Sequence, residues 1–226
     1  RIRVRTIYDS MLIRMDPRFG SVSNIVYFGD RFDPDEMDFM AKYLRAGDRF
    51  LDVGANIGTY TLLAASLIGP TGVIDAVEAV PDLATGLRAN IALNHLEDSV
   101  RVHEAAASDR PGSVRFRIDR DVTSRMAIES DPHETVRVVQ CAPIDDLIPA
   151  GPIALGKIDV EGSEVAVLRG MADRLQASDP AVLLLEILPH QLRRQGQSVE
   201  VLLEVLNEHD YALASYSADH STLTKR

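Results

Sequence analysis

The sequence predicts an α/β fold in which helices cover both faces of a mostly parallel β-sheet. From about residue 49 onward, apolar runs of strand length alternate with segments of helical periodicity, which is the pattern of consecutive βαβ units. The run at 181–187 is apolar along almost its whole length, as expected of a strand that is buried on both faces. At 226 residues, the chain is long enough to bury the core of one large domain without disulfides or metals.

Composition and charge exclude several classes of protein. The 24 basic and 34 acidic residues leave a formal net charge of −10, which opposes binding to nucleic acid or to an anionic lipid surface. No apolar run approaches the roughly 18 residues of a membrane-spanning helix. The single cysteine, Cys141, excludes an internal disulfide framework and a thiolate metal cluster, so we expect a protein of the reducing cytoplasm. These features leave the oligomeric state open, with a homodimer as one option.

The first 47 residues stand apart from the alternating pattern. We interpret 1–47 as an N-terminal helical cap that belongs to the same domain as 48–226. Asp33-Pro34 begins its helix with a capping residue and a proline, and the acids that follow favour the positive end of the helix dipole. Gly47 ends the segment before the first strand of the sheet.

The remaining elements follow in the order that βαβ units require. Strands are expected at 49–53, 73–78, 100–105, 153–160 and 181–187. Helices are expected at 59–68, from Pro81 through Ile91, at about 163–175, and after Ser198, which suits a helix N-cap. The segments 211–216 and 220–224 are expected to pair with each other and complete the sheet.

An insertion interrupts the βαβ pattern. Apolar residues alternate with arginines at 114–118, and the alternation resumes at 136–138, as in two half-exposed strands. The residues between them, 119–134, are polar and irregular. We therefore predict a β-hairpin with a long loop at 110–140.

A glycine-rich loop at 52–58 follows the first strand of the sheet and precedes a helix. Its glycines allow a ligand to approach the backbone closely, next to the positive end of that helix. Twenty residues beyond Gly58, Glu78 ends the next strand, where a carboxylate can hydrogen-bond both hydroxyls of a ribose. The combination predicts half of a nucleoside-binding site.

Two residues of the loop distinguish between nucleoside cofactors. Asn56 occupies the second glycine position of the dinucleotide fingerprint, where glycine lets the backbone approach a pyrophosphate. Asp52 ends the strand below the loop, and an acid there favours a cationic ligand over a diphosphate. The sulfonium and α-ammonium groups of S-adenosylmethionine meet that condition. NAD, the cofactor of an oxidoreductase built on the same half-site, is the alternative.

Charged residues at the ends of the fourth and fifth strands are the candidates for catalysis. Lys157, Asp159 and Glu161 alternate, so we expect all three on one face of the fourth strand, near the edge where α/β sheets bind ligands. Glu186 and His190 lie at the carboxyl end of the fifth strand and would face the same crevice. One of these groups would act as a base; alternatively, Asp159, Glu161 and Glu186 would hold a divalent cation such as Mg²⁺.

Several segments resemble the FkbM-type methyltransferases, a branch of the class I S-adenosylmethionine-dependent enzymes. Residues 50–58 are similar to the cofactor loop of that family, and residues 77–81 to its ribose-binding segment. Residues 157–164, together with 168–170, resemble its most characteristic stretch. The resemblance extends over about residues 27–217.

The resemblance implies a Rossmann-like fold whose seven-stranded sheet has a reversed last strand. It also implies S-adenosylmethionine as cofactor and methyl transfer to an oxygen, typically a hydroxyl on a sugar, a glycan or a natural-product scaffold. We expect the acceptor pocket between the cap, the 119–134 loop and the ends of the fourth and fifth strands. A catalytically idle scaffold is a further alternative, and the net charge of −10 opposes an RNA methyltransferase.

The cofactor site is expected to extend beyond the glycine-rich loop. Asp109 follows the third strand, where it could hydrogen-bond the edge of the adenine while Ala106 packs on the ring. Capping of the turn at 110–112 explains Asp109 equally well. The expected cofactor residues are Asp52, Gly54, Ala55, Asn56, Gly58, Thr59, Glu78, Ala106 and Asp109.

Overall fold

A computed structural model describes residues 3–15, 33–118, 124–126, 135–177, 181–220 and 222–225. Most of the 119–134 loop, to which the sequence assigns part of the acceptor pocket, lies outside the described residues. The strands are β1 Arg3–Ile7, β2 Met11–Met15, β3 Arg49–Val53, β4 Val73–Val77, β5 Val100–His103, β6 Ala106–Ala107, β7 Gly112–Ile118, β8 Ser124–Met126, β9 Thr135–Ala142, β10 Leu155–Ile158, β11 Val182–Leu185, β12 Ala214–Ser217 and β13 Thr222–Lys225. The helices are α1 Pro34–Tyr43, α2 Thr59–Ile68, α3 Pro81–Leu93, α4 Ile144–Leu147, α5 Glu164–Arg169, α6 Ala172–Leu175, α7 Pro189–Arg194 and α8 Val199–Glu208.

The central sheet consists of five parallel strands in the order β11-β10-β3-β4-β5. This order confirms the predicted βαβ units. The chain starts at the middle strand, β3, adds β4 and β5 on one side, and then crosses to add β10 and β11 on the other. Such a reversal opens a crevice at the carboxyl ends of the two middle strands, β3 and β10. The described residues form five strands of this sheet, not the seven that the resemblance implies.

Helices cover both faces of the sheet, as predicted. Phe50 packs with Met40 of α1 on one face, whereas the next residue, Leu51, packs with Val167 of α5 and Leu206 of α8 on the other. Successive side chains of a strand point to opposite faces, so β3 contributes to both halves of the core. None of the helices in the described part of the chain is long and apolar enough to cross a membrane.

The expectation that the 181–187 run is buried on both faces is wrong. Each residue of β11 is only partly buried, and among the described strands β11 pairs with β10 alone. It therefore lies at the edge of the sheet. An apolar sequence does not distinguish an edge strand from a central strand, because the order of strands is set by tertiary packing.

The C-terminal strands pair with each other, but they do not complete the central sheet as expected. β12 and β13 form a separate two-stranded antiparallel sheet. Its Tyr216 packs edge-on against Phe39 of α1, with 5.3 Å between the ring centroids, and its hydroxyl donates to Asp38. This hairpin is therefore anchored on the N-terminal helix.

The N-terminal segment contains the predicted helix, α1, but it is not helical throughout. β1 and β2 form an antiparallel hairpin ahead of that helix. Two asparagines, Asn90 of α3 and Asn94 directly after it, bind the backbone of β2: Asn90 Oδ1 accepts from the Arg14 N–H and Asn94 Oδ1 from the Leu12 N–H, each at 2.7 Å. Side chains thus satisfy backbone donors on the side of β2 that faces away from β1, where the described sheets place no strand.

The insertion has the predicted hairpin, because β7 and β9 pair antiparallel along 112–118 and 135–141. β6 pairs with β9 on its other side and ties the hairpin to the end of β5. The helix expected at 163–175 is instead two short helices, α5 and α6. Between them, Gly170 approaches Ser108 so closely that a Cβ atom would lie 1.9 Å from the Ser108 carbonyl oxygen.

Candidate functional site

Four residues stand side by side at the carboxyl edge of the central sheet. Glu186, Asp159, Gly54 and Glu78 each directly follow the last residue of β11, β10, β3 and β4, and those last residues are paired in register. Their backbone N–H groups continue the sheet: that of Asp159 donates to Val53 at 3.0 Å. Neighbouring strands are about 4.8 Å apart, so the row spans roughly 15 Å. The sheet thereby brings three carboxylates and one glycine into one crevice.

The glycine-rich loop adopts conformations that its residue types allow. Gly54, Asn56 and Gly58 have φ values of +87°, +53° and +96°, in the region that favours glycine and tolerates asparagine. Gly58 precedes α2 directly, and the expected cofactor residues Ala55 and Thr59 are 4% and 5% exposed. The loop therefore passes over the edge of the sheet and into the start of α2.

Glu78 is a buried carboxylate whose two oxygens are held by the backbone. Its Oε2 accepts from the Asn56 N–H and its Oε1 from the Val80 N–H, both at 2.8 Å, and the residue is 6% exposed. Burial raises the pKa of Glu78 to about 7, although these hydrogen bonds act in the opposite direction. Each carboxylate oxygen has a second lone pair, so the group can still accept from two ligand hydroxyls.

Asp52 lies beneath the loop. It is 2% exposed, and its Oδ2 accepts a hydrogen bond of 2.6 Å from the Thr61 hydroxyl of α2. Burial raises the pKa of Asp52 to about 6, against the effects of Thr61 and of the nearby Lys157 ammonium. The side chain therefore connects β3 to α2, and its role toward a cofactor stays a prediction.

Lys157, Asp159 and Glu186 form a compact charge cluster. Lys157 Nζ lies 2.8 Å from Asp159 Oδ2, and a hydrogen bond joins the carboxyl groups of Asp159 and Glu186. Burial opposes ionisation of Asp159, but the Lys157 charge and both hydrogen bonds outweigh it and lower the Asp159 pKa. Burial of its carboxyl group, followed by the hydrogen bond and charge of Asp159, raises the pKa of Glu186 to about 8. Near neutral pH the two carboxyl groups therefore share one proton, which resides on Glu186.

The spacing of Glu161 predicts that it lies on the fourth strand, but the structure places it outside that strand. β10 ends at Ile158, and Glu161 lies in the following turn with a φ of +55°. Its carboxylate still reaches the cluster, and it accepts a hydrogen bond from the Gln191 side chain of α7. The strand is shorter than predicted because Gly162, with a φ of +104°, turns the chain into α5.

The carboxylates of Asp159, Glu161 and Glu186 have the spacing of a divalent-cation site, since their oxygens lie within 4.8 Å of one another. Each of them nevertheless has a protein partner: Lys157 and Glu186 bind Asp159, and Gln191 binds Glu161. An ammonium group 2.8 Å from Asp159 would repel a second cation at that carboxylate. The donor set fits a shared proton better than Mg²⁺.

Three expected site residues lie away from this cluster. His190 is exposed in the first turn of α7, and among the described residues the group of close acidic and histidine side chains does not include it. Ala106 is buried against Val139 and Cys141 of β9. Asp109 is exposed and accepts a hydrogen bond of 3.3 Å from the Ser108 hydroxyl. Their roles in catalysis and adenine binding stay predictions.

A cavity of about 280 Å³ lies between the base of the insertion hairpin and the turn that follows β10. Among the described residues, its polar side chains are uncharged except for those of Asp109, an expected cofactor residue, and Arg110. The uncharged ones include Ser108, Ser113, Ser163, Gln195 and Gln197. Gly162, next to Glu161 in the chain, also lines it. The cavity therefore adjoins the turn that carries a carboxylate of the cluster.

Three polar residues that hold the site in place were not predicted from the sequence. Tyr60 and Thr61 lie in the first turn of α2, and Asn90 of α3 donates a hydrogen bond of 2.8 Å to the Ile57 carbonyl of the glycine-rich loop. The apolar composition of α2 could have identified Tyr60 and Thr61. Nearly every residue of α2 is buried, so polar side chains in that helix need partners.

Comparisons with known proteins agree with this fold. A crystal structure of methyltransferase FkbM from Methylobacillus flagellatus KT matches with a TM-score of 0.52 and 16% identity, over 86% of this chain and 49% of that one. A putative rRNA-methylase from Clostridium thermocellum matches with a TM-score of 0.51 and 12% identity, over 84% of this chain and 93% of that one. At these identities the likeness shows a common fold. The chain spans about half the length of the Methylobacillus protein.

No curated protein matches the sequence. The model of one protein family, described as the methyltransferase FkbM domain, matches residues 52–213. That match begins at Asp52, below the glycine-rich loop, and includes Glu78, the Lys157–Asp159–Glu186 cluster and α8. Since it extends over more than half of the 226 residues, the chain belongs to the family of FkbM methyltransferase domains.

Proposed function

We propose that this protein is an S-adenosylmethionine-dependent O-methyltransferase whose acceptor is a hydroxyl on a sugar, a glycan or a natural-product scaffold. The observation that carries the proposal is the row Glu186, Asp159, Gly54 and Glu78. The row brings Glu78, whose carboxylate could bind a ribose, and the ionised carboxylate of Asp159 to the same edge of the sheet, on either side of Gly54. Membership of the methyltransferase family supports the same reaction class.

The cofactor's ribose would lie on Glu78, because that carboxylate is already oriented by two backbone N–H groups and needs no rearrangement to accept from two hydroxyls. Two strand spacings, about 10 Å, separate Glu78 from Asp159. The buried acid Asp52 would attract a sulfonium, while Gly54 leaves room at the backbone beside Asp159. The donor set thus fits a cationic nucleoside better than a dinucleotide, which would bring a diphosphate to these acids.

When bound, S-adenosylmethionine supplies an activated methyl group, and its sulfur keeps the electron pair as the acceptor oxygen takes the methyl carbon. The proton of the acceptor hydroxyl passes to the Asp159–Glu186 pair. Lys157 keeps Asp159 ionised at neutral pH, and Glu186 becomes a second acceptor of protons as the pH rises toward about 8. The protein's own residues therefore orient the hydroxyl and remove its proton, without a metal ion in the mechanism.

A polar acceptor is favoured by the cavity beside the cluster, whose two charged residues, Asp109 and Arg110, carry opposite charges. Its serine and glutamine side chains can both donate and accept hydrogen bonds, which suits a group bearing several hydroxyls. A carboxylate acceptor would be repelled by the acids of the same edge. These properties support a hydroxylated scaffold.

Calorimetric titration with S-adenosylmethionine, S-adenosylhomocysteine and NAD tests the cofactor. We expect binding of the first two and none of NAD. Absence of binding to S-adenosylmethionine by folded protein would refute the proposal, and binding of NAD alone would support an oxidoreductase.

A second experiment tests the acceptor class. The protein is incubated with methyl-labelled S-adenosylmethionine and matched sets of neutral glycosides, amines and carboxylic acids, and labelled products are identified by mass. We expect label on hydroxyl oxygens of the glycosides. Label on amines or carboxylates alone would contradict the proposed acceptor.

A further inference from the structure

Lys157 is a buried cation held by two different kinds of partner. Its side chain is 7% exposed, and Nζ lies 2.8 Å from Asp159 Oδ2. The same Nζ lies 4.4 Å from the centroid of the Tyr60 ring. A buried ammonium group needs compensation for the water it loses, and a carboxylate together with an aromatic face provides it. Tyr60 therefore belongs to the surroundings of the charge cluster.

Lys157 has a choice of carboxylates. In the sheet it is paired directly with Asp52 of β3, so a second buried acid lies beside it. A lysine side chain is flexible, and its ammonium is a point charge without a preferred direction of bonding. The sequence of β10 alone does not decide between Asp52 and Asp159. The Tyr60 ring, in contact with the ammonium at Asp159, favours the second.

Tyr60 is itself held by the N-terminal segment. Its hydroxyl donates a hydrogen bond of 2.7 Å to Asp33 Oδ2, and Asp33 immediately precedes α1. Burial, followed by the hydrogen bond and charge of Asp33, raises the pKa of Tyr60, so the phenol stays protonated and remains a donor. A chain of contacts thus leads from Asp33 through Tyr60 and Lys157 to Asp159.

We infer that Tyr60 and Asp33 are positioning residues of the methyl-transfer site, which hold the Lys157 ammonium against Asp159. The inference rests on the proposed function for its catalytic consequence, but not for the placement of Lys157. The inference assigns a role to the segment before the glycine-rich loop. Asp33 of that segment holds the Tyr60 hydroxyl, and the Tyr60 ring in turn positions Lys157.

Lysine labelling tests the placement without any acceptor. The sequence has three lysines, Lys42, Lys157 and Lys225, so acetylation by N-hydroxysuccinimidyl acetate can be followed at each by mass spectrometry. We expect Lys157 to react much more slowly than the exposed Lys225. Tyr60→Leu should speed the reaction of Lys157 about tenfold, the loss expected for a desolvated cation–π contact, and leave Lys225 unchanged.

Two further variants separate positioning from general loosening. Tyr60→Phe keeps the ring but loses the hydroxyl that binds Asp33, so Lys157 should be labelled more slowly than in Tyr60→Leu and at about the rate seen in Asp33→Ala. Tyr43→Leu removes another tyrosine of the N-terminal segment, one that stacks on Phe39 at 5.5 Å, and should leave Lys157 protected. If Tyr60→Leu does not fold, Asp33→Ala tests the same chain from its other end. Unchanged Lys157 labelling in a folded Tyr60→Leu or Asp33→Ala variant would overturn the inference.

The catalytic consequence has its own readout. With a hydroxyl acceptor turned over by the wild type, Tyr60→Leu should lower kcat about tenfold and leave the KM for S-adenosylmethionine within about twofold. Tyr60→Phe should recover part of kcat, to about the value of Asp33→Ala, because both variants keep the ring and lose the hydrogen bond between residues 33 and 60. An equal rise in KM with unchanged kcat would show that Tyr60 serves cofactor binding instead. Failure of the wild type to use any hydroxyl acceptor would contradict the proposed function and leave the labelling result standing.

Discussion

A Cβ atom on Gly54 would lie 1.9 Å from the carbonyl oxygen of Asp159. The backbone of the glycine-rich loop therefore contacts the backbone of the residue that directly follows β10. This contact lies where cofactor and acceptor are proposed to meet. Glycine is required at this position twice: by its φ of +87° and by the neighbouring backbone, which cannot move aside as a flexible side chain could.

Gly54→Ala should therefore be strongly destabilising. Overpacking against backbone and the left-handed conformation together should cost about 3 kcal/mol of unfolding free energy. The matched control is Gly196→Ala, because Gly196 also has a positive φ, of +68°, but nothing within 4 Å of its Cβ position. It should cost about 1 kcal/mol. Urea unfolding of both variants measures the difference, and equal losses would show that the contact with Asp159 is unimportant.

Replacing Glu78 by glutamine should weaken cofactor binding. The amide can accept from only one of the two backbone N–H groups, and its NH₂ group faces the other. Loss of charge-assisted hydrogen bonds should lower the affinity for S-adenosylmethionine roughly 10- to 100-fold in calorimetry. Glu104→Gln is the control, since the Glu104 side chain is 38% exposed and pairs with Arg88 at the surface. Undiminished affinity in Glu78→Gln would place the ribose elsewhere.

The rate of methyl transfer should rise with pH toward about 8. Glu186 is protonated at neutral pH because its pKa is raised to about 8, and only its ionised form can take the acceptor's proton. Glu186→Gln should flatten this part of the pH profile, with the larger loss of kcat at pH 8 and above, because Asp159 still accepts the proton at neutral pH. A variant that kept the wild-type profile would assign the titration to another group.

The stability of the ligand-free protein should fall as the pH rises from about 5 to 8. The pKa values of Asp52 and Glu78 are raised to about 6 and 7 by burial, so the folded state binds protons more tightly than the unfolded state. Their stabilising effect is complete below the unfolded pKa values and is lost through the folded ones, a change on the order of a few kcal/mol.

Thermal unfolding between pH 5 and 8 measures this loss. Glu78→Gln should reduce the slope, because one of the titrating groups is then absent. Asp75, whose burial is outweighed by His103 and Arg49 so that its pKa is lowered, acts with the opposite sign and only in more acidic solution. A melting temperature that increased from pH 5 to 8 would contradict the prediction.

Removal of divalent cations should leave the activity unchanged. Lys157 already pairs with Asp159 at 2.8 Å, and Glu186 shares a proton with it, so Mg²⁺ would have to displace both. Rates measured with EDTA and with millimolar Mg²⁺ should agree. Loss of activity in EDTA, restored by Mg²⁺, would show that the three carboxylates bind a metal after all.

Much of the fold was predictable because its signals are local. Period-two and period-3.6 patterns indicated the strands β3, β4 and β5, the helix α1 and the hairpin of the insertion before any contact was known. The edge position of β11 was not predictable, since Val182–Leu185 has the composition of a central strand. The separate pairing of β12 and β13 depends in the same way on a distant contact, that of Tyr216 with α1.

The sequence by itself determined which residues end the strands of a parallel sheet, and so identified Glu78, Asp159 and Glu186 as candidates for one crevice. Only the tertiary structure decided their order and partners. Lys157 meets Tyr60, and Tyr60 meets Asp33, across separations that no local pattern encodes. The reason is physical: periodicity along a chain reflects which side of an element is buried, whereas the pairing of charges depends on which elements become neighbours.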